Sequence, residues 1–556
     1  MMAAHLLDIA APLQSVLETD TFRPVGAAIV FLMMASFLVI GYLFKVADTE
    51  GMWVAGRGIG NIENGMAIGS NWMSAASYLG LAGLIALSGF YGLAFVVGWT
   101  TGYFILLIFL AAQMRRFGKY TAPDFVGDRF NSPTARALAA FTTLLIAYVY
   151  SVGQASGMGL VGQYVFGLDF APMVIVMMTI TVGYLAISGM LGATKNMAVQ
   201  YVILIVAFLA GVYAVGFVGP PGQSGYSTVL PQIEYGALIG ELDAQFAEPF
   251  ANSSPWLWAG TALSLILGTC GLPHVLVRFY TVENERTARW STVSGLFFIM
   301  LLYWAAPAMA AFGVDLYEVT EGTSAFAAEG GMSGAEGDVI VVLAAQFAEL
   351  PTWFVSFIAA GAMAAAIATT AGLFITASSA VAHDIYTELI NPDATQRQQV
   401  LIGRATIVGI GALVTITALD PPALIGQLVA LAFSLAGIVL FPMFFLGLWW
   451  ENTNRQGALA GMIFGLALWI TATVNSIVVS EPFSPFLAEW VPAIGAALVG
   501  TPLVFLITIA VSLVTPEPPE ETKKIVRQCH SPKPMGQQQS AADVVTDGGE
   551  ETPADD

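Results

Sequence analysis

The chain has 556 residues, 57% of them hydrophobic and 10% charged, with a mean hydropathy of +0.75. So little charge excludes a water-soluble globular domain, and a formal net charge of −19 speaks against nucleic acid as a partner. The apolar runs are continuous rather than alternating, which points to membrane-crossing helices and not to a barrel.

Taken in chain order, the runs predict about thirteen transmembrane helices, centred near residues 35, 77, 102, 150, 180, 208, 266, 301, 368, 410, 437, 466 and 502. The first Lys or Arg is Arg23, just ahead of the first run, so no cleaved leader is expected. The weakest division lies between spans two and three, where Asn64 to Met114 holds no charge and Gly89, Tyr91 and Gly92 give the only turn signal. With the N-terminus outside and the C-terminus cytoplasmic, all of the 19 Lys and Arg except Arg23 fall on the inner side. This sorting supports the count and sets the expected location, a bacterial-type inner membrane. The outer loops are acidic, with Glu234, Glu241, Asp243 and Glu248 in one and Asp315, Glu318, Glu321, Glu329, Glu336, Asp338 and Glu349 in another. Solvation explains them most simply, and a cation-attracting vestibule is the functional alternative. From 516 to 556 the chain is polar and acidic and is expected to be a disordered tail.

Span two contains Gly65-Met66-Ala67-Ile68-Gly69-Ser70-Asn71-Trp72-Met73-Ser74-Ala75-Ala76-Ser77, glycines mixed with side chains that compete for backbone hydrogen bonds. Span seven contains Gly268-Thr269-Cys270-Gly271-Leu272-Pro273-His274, where Pro273 removes a donor and disfavours helix at Leu272. Either alone is compatible with ordinary helix packing. Together they open two consecutive groups of five spans, and since five is odd the second group enters the membrane inverted. Breaks at matching places in inverted halves point to a transport site. On span nine, Thr369 and Thr370 lie three and four residues after Ala366, so two hydroxyls approach one carbonyl. With carbonyls from a broken span two, these oxygens would suit a hard cation such as Na+. The alternative is that both hydroxyls simply bond back one turn.

Gly271-Leu272-Pro273-His274 with Arg278-Phe279-Tyr280-Thr281-Val282 resembles the GLPHxxxRFxTV signature of acetate-type cation symporters in the sodium:solute symporter family. Supporting matches are Met73 to Gly80, Lys119-Tyr120-Thr121-Ala122-Pro123-Asp124-Phe125, Gly189-Met190 with Gln200, and His383-Asp384-Ile385-Tyr386. The resemblance implies a leucine-transporter-type fold of five plus five inverted helices and sodium-coupled uptake of a small monocarboxylate by alternating access. It divides the chain into an outer segment (1–25), an added helix (26–46), repeats at 62–218 and 255–450, two added helices (457–515) and the tail. It also implies a sodium site made of the Ser70, Met73 and Ala366 carbonyls and the Thr369 and Thr370 hydroxyls. Asn71 and Met197 depart from it, standing where many relatives have Asp and an acidic or amide residue.

No Lys or Arg lies inside a predicted span, so an anionic solute would rely on half-helix N-termini and on the bound sodium for countercharge. Substrate contacts are expected from Ser74, Ser77, Thr269, Gln427 and Ser434. His274 is read as a gate residue or a hydrogen-bonded histidine, and Arg278 as an anchor at the inner interface. An enzyme is not expected: of His5, His274, His383 and His530, none forms a metal-ligand pair along one helix.

Overall fold

The computed structural model describes residues 22–226, 230, 236, 238–251, 253–327, 329–479 and 481–531. The expectations for residues 1–21, for Glu234 and for the tail beyond residue 531 lie outside the described residues. Within them the chain is all helical: α1 Pro24–Leu43, α2 Asn61–Trp72, α3 Leu81–Ser88, α4 Leu93–Ile105, α5 Ala122–Arg129, α6 Pro133–Phe166, α7 Phe170–Val218, α8 Pro255–Gly271, α9 Pro273–Tyr280, α10 Glu285–Glu321, α11 Gly334–Asp338, α12 Thr352–Ser379, α13 Gln396–Ala418, α14 Ile425–Leu435, α15 Arg455–Thr473, α16 Ala497–Val514 and α17 Glu520–His530.

Helix starts follow the local chemistry. Ser132 and Ser254 cap the amides of Ala135 and Leu257, each followed by a proline that needs no N–H partner. Asn284, Thr395 and Asn454 do the same for α10, α13 and α15. These polar caps open each helix by satisfying first-turn amides that have no intrahelical partner.

Eleven helical stretches among the described residues are long and apolar enough to cross a membrane. The difference from the thirteen expected has a visible cause. Ala76–Phe117 and Phe170–Val218 run to 42 and 49 residues, about twice a crossing, and each turns at a glycine with positive φ: Gly89 (55°) and Gly189 (58°). The helical hydrogen-bond pattern resumes so soon after each bend that two expected spans share one stretch.

The stretch containing α12 is buried along its whole most apolar window, whereas the corresponding windows of α13 and α16 are 33% buried. α7 packs on α12 and α6, α8 on α4, and α10 on α2. The outer helices expose large apolar side chains such as Phe31, Leu413, Ile416 and Leu506, as a lipid-facing surface requires. Two expectations need correction here. The polar segment after 516 is not wholly irregular: α17 buries Ile525, Val526 and Cys529, Arg116 donates to the Cys529 carbonyl (3.0 Å), and Arg527 pairs with Glu451 (2.7 Å). Nor is the outer acidic set all solvated. Asp338 is buried and accepts the Ile425 N–H at the start of α14 (3.1 Å). Burial pushes its carboxyl up to about 7, against the pull of that amide.

Candidate functional site: two broken helices and a threonine pair

Between α2 and α3 the helix breaks at Met73 (φ −74°, ψ 74°). The Ser74 N–H turns to the Trp72 carbonyl (2.8 Å), the Ala75 N–H to Gln154 Oε1 (2.8 Å), and the Ser77 N–H to the Ser74 carbonyl (3.0 Å). The carbonyls of Ser70, Asn71 and Met73 thereby lose the i+4 amides that a continuous helix would supply. A π-helical turn, Ala76–Gly80, then restarts the helix. The matching break lies between α8 and α9, with Leu272 extended (ψ 117°) and Pro273 opening the second half. The two breaks touch: Asn71 Nδ2 donates to the His274 carbonyl (3.3 Å).

α12 brings the threonines to the first break. Thr369 Oγ1 donates to the Asn71 carbonyl (2.9 Å), while Thr370 Oγ1 bonds back to the Ala366 carbonyl (2.8 Å). The two alternatives for this pair thus divide between its members. Residues 298 apart in sequence put carbonyls and hydroxyls side by side, all fully or nearly fully buried. Gly372 permits the approach, because a Cβ there would lie 2.0 Å from Asn71 Oδ1. Ser70 Oγ and Asn71 Oδ1 are buried without a hydrogen-bond partner among the described residues.

Beside the break lies an aromatic cage. Trp72 meets Tyr103 and Phe433 edge-on (centroids 4.7 and 5.2 Å), Trp99 stacks on Tyr303 (6.0 Å), and Tyr150 meets Phe433 and His274 (5.9 and 5.3 Å). Of the expected substrate residues, Ser74 lies at the break and Ser77 shares a hydrogen bond with the Tyr303 hydroxyl (2.8 Å). Ser434 follows Phe433 with its hydroxyl buried and unpaired. Thr269 and Gln427 are not brought in: Thr269 bonds back to Leu265 (2.7 Å) and packs on Gly102, and Gln427 accepts the Leu424 N–H at the start of its own helix (3.4 Å).

Trp72, Trp99, Tyr150, Tyr303 and Gln154 were not among the expected contacts. Aromatic residues are too common in membrane spans to stand out by type; Gln154, one of two amides in a largely apolar run, was the readable signal. The Trp99 N–H and Gln154 Nε2 are buried without acceptors, and the Trp72 N–H faces the Tyr303 hydroxyl outside hydrogen-bond geometry. Since Gln154 Oε1 is already taken by Ala75, the unpaired indole and amide groups are donors, while the Ser434 hydroxyl and the His274 ring beside them can donate or accept. A ligand that satisfies the indole and amide groups must accept.

One further expectation is corrected. His274 is not hydrogen-bonded through its ring: both ring nitrogens lack partners among the described residues. Arg278, two residues before the end of the helical stretch Pro255–Tyr280, is 1% exposed, so its guanidinium is covered by neighbouring helices.

At the end of the bundle where the basic loops meet, two of the quoted motifs converge. Asp124 accepts from Arg136 (2.9 Å) and pairs with His383 Nε2 (3.0 Å), and Thr121 donates to Asp384 (2.9 Å). Burial alone would raise the Asp124 carboxyl, but His383, Arg136 and Lys119 hold it well below the usual carboxylate range. Asp124, His383 and Asp384 approach closely enough to offer ligand atoms to a metal, but Arg136 Nη1 stands 2.9 Å from Asp124 and 3.8 Å from Asp384, where a metal cation would be repelled.

The Sodium:solute symporter family pattern matches residues 52–465. The chain belongs to the sodium:solute symporter family. As a member of that family, it shares 30% identity with the monocarboxylic acid transporter of Corynebacterium glutamicum, over 87% of this chain and 89% of that one. Uncharacterized symporters of Bacillus subtilis (32%, covering 86% and 90%) and Cupriavidus necator (29%, covering 88% and 91%) are similarly close. Among solved structures, a substrate-bound, outward-open Na+-coupled sialic acid symporter superposes with a TM-score of 0.70 at 14% identity, over 89% of this chain and 98% of that one. That likeness bears on the fold.

Proposed function

We propose that this symporter imports a short-chain monocarboxylate, acetate or a close relative, by alternating access coupled to sodium, across the inner membrane with its C-terminus cytoplasmic. The coupling ion is held by the carbonyls of Ser70, Met73 and Ala366 and the hydroxyls of Thr369 and Thr370. Support comes first from the released Asn71 carbonyl of the broken helix, which stands against Thr369, with the Ser70 and Met73 carbonyls released in the same break and Thr370 on the Ala366 carbonyl next to it in α12. Neutral oxygens of this kind suit an alkali cation, which brings its own charge into an otherwise uncharged centre.

The solute class rests on the unpaired donors of the cage and on the name of the Corynebacterium relative. Two indole N–H groups and an amide NH2 favour an acceptor-only ligand, as a carboxylate is. The nearby sodium supplies the countercharge, and the surrounding rings suit a short apolar chain. Sodium-gradient uptake of labelled acetate, lactate and proline into proteoliposomes tests this reading. Acetate and lactate should accumulate and compete with each other, with proline inert; sodium-driven proline uptake with acetate inert would overturn the assignment.

A further inference from the structure

Two guanidinium groups are sealed in the bundle with 1% exposure or less, and only one of them is satisfied. Arg129 (0% exposed) gives its donors to the carbonyls of Gly447, Trp450, Glu451 and Thr453 at 2.7–3.1 Å. Arg278 (1% exposed) has one hydroxyl acceptor, Thr194 Oγ1 at 3.0 Å, and the Met197 sulfur at 2.7 Å. Its Nε has no partner among the described residues, and no carboxylate there lies within ion-pair distance. A thioether is a weak acceptor, so this cation is buried without an anion, an arrangement that is strongly unfavourable unless something else answers the charge.

Its position says what could. Arg278 lies on α9, the half-helix that begins at the second break, and His274 stands four residues earlier on the same face. His274 abuts Tyr150 of the cage and borders a narrow seam with Thr143, Ala147, Leu373 and Thr376. Unpaired polar groups thus continue from the cage past His274 to Arg278, on the side where the basic loops gather. A guanidinium offers two parallel N–H groups to a carboxylate, a geometry that neither a hydroxyl nor a thioether uses fully.

We propose that Arg278 is an inner carboxylate site: once the cytoplasmic side opens, it receives the monocarboxylate leaving the cage, before release. The site rests on the monocarboxylate reading above and adds to it a second, inner station of opposite character. The cage holds the anion with neutral donors and sodium; the inner site holds it with a fixed positive charge after sodium has left. Sodium release then need not strand an uncompensated anion in the bundle.

The test uses the full-length protein in inverted vesicles. Arginine modification by phenylglyoxal from the cytoplasmic side, mapped by mass spectrometry, should be slowed at Arg278 by acetate about fivefold or more, while the exposed Arg286 reacts at an unchanged rate. In parallel, in right-side-out vesicles, inhibition of uptake by acetate loaded on the cytoplasmic side should weaken about tenfold or more in Arg278→Gln and be largely restored in Arg278→Lys, which keeps the charge. Acetate uptake by the native chain with no protection of Arg278 would overturn the inner site and leave the monocarboxylate reading standing. Absence of sodium-driven acetate uptake would overturn both. Should Arg278→Gln fail to fold, protection in the native protein still decides.

Discussion

Arg136 and the Thr369–Thr370 pair sit at two ends of the same packing problem. Around Arg136 the charges are largely paired, with Asp124 at 2.9 Å, Asp128 at 2.6 Å and Glu388 at 3.3 Å, His383 closing on Asp124 from another helix, and Asp384 Oδ2 left without a partner among the described residues. Around the threonines there is no formal charge, and carbonyls, a serine hydroxyl and an asparagine oxygen lack the partners a folded chain normally gives them. The contrast separates two uses of buried polarity. A closed network ties helices together, and an open one is complete only with something bound.

The sharpest way to break the contrast is at the closed network. Arg136→Gln removes one of the countercharges that Asp124 and Asp128 share and should cost about 3–5 kcal/mol of stability, read as a lowered thermal midpoint in detergent. If the network is only a tie, sodium affinity at low temperature should stay near the native value. The converse substitution, Thr369→Ala with Thr370→Ala, should cost about 3 kcal/mol in sodium binding, roughly a hundredfold in sodium-dependent uptake, with little change in thermal midpoint. An unchanged sodium dependence would assign the hydroxyls to helix packing. Gly372→Ala drives a methyl group onto Asn71 Oδ1 and should weaken sodium binding by about tenfold, or ~1.4 kcal/mol, through displacement of the broken strand of span two.

The smallest effect is expected at the outer mouth. Because the Asp338 carboxyl is raised to about 7 in the fold, its contribution is complete below about pH 4 and is lost as pH rises through about 7. Hydrogen exchange across residues 334–347, corrected for intrinsic rates, should therefore quicken severalfold between pH 6 and pH 8, and Asp338→Asn should remove that dependence. A flat profile in the native chain would contradict it.

Much of this was readable from residue types. Glycine, serine and asparagine clustered in an apolar run announced the first break, and Pro273 the second, because each changes backbone bonding locally. The threonine pair was visible as spacing, although which hydroxyl would cross to Asn71 depended on how α12 meets α2. Other features depend on packing that no local pattern reports. Arg278 was read as an interface anchor because hydropathy sees a charge at the end of a run, not the Thr194 and Met197 that cover it. Helix α17 was hidden by its charged composition, its buried stripe being only Ile525, Val526 and Cys529 with Thr522. The count of thirteen separated spans at the Gly89 turn and between the runs centred near 180 and 208, where the chain bends at Gly89 and Gly189 within longer helical stretches.

The central claim is that an alkali cation among those released oxygens supplies the charge that a carboxylate needs nearby. Equilibrium binding of labelled acetate to the purified protein, in sodium chloride and in choline chloride, tests it directly. The account predicts that sodium tightens acetate binding roughly 5- to 150-fold and that acetate tightens sodium by the same factor. Equal acetate affinity in the two salts would contradict it.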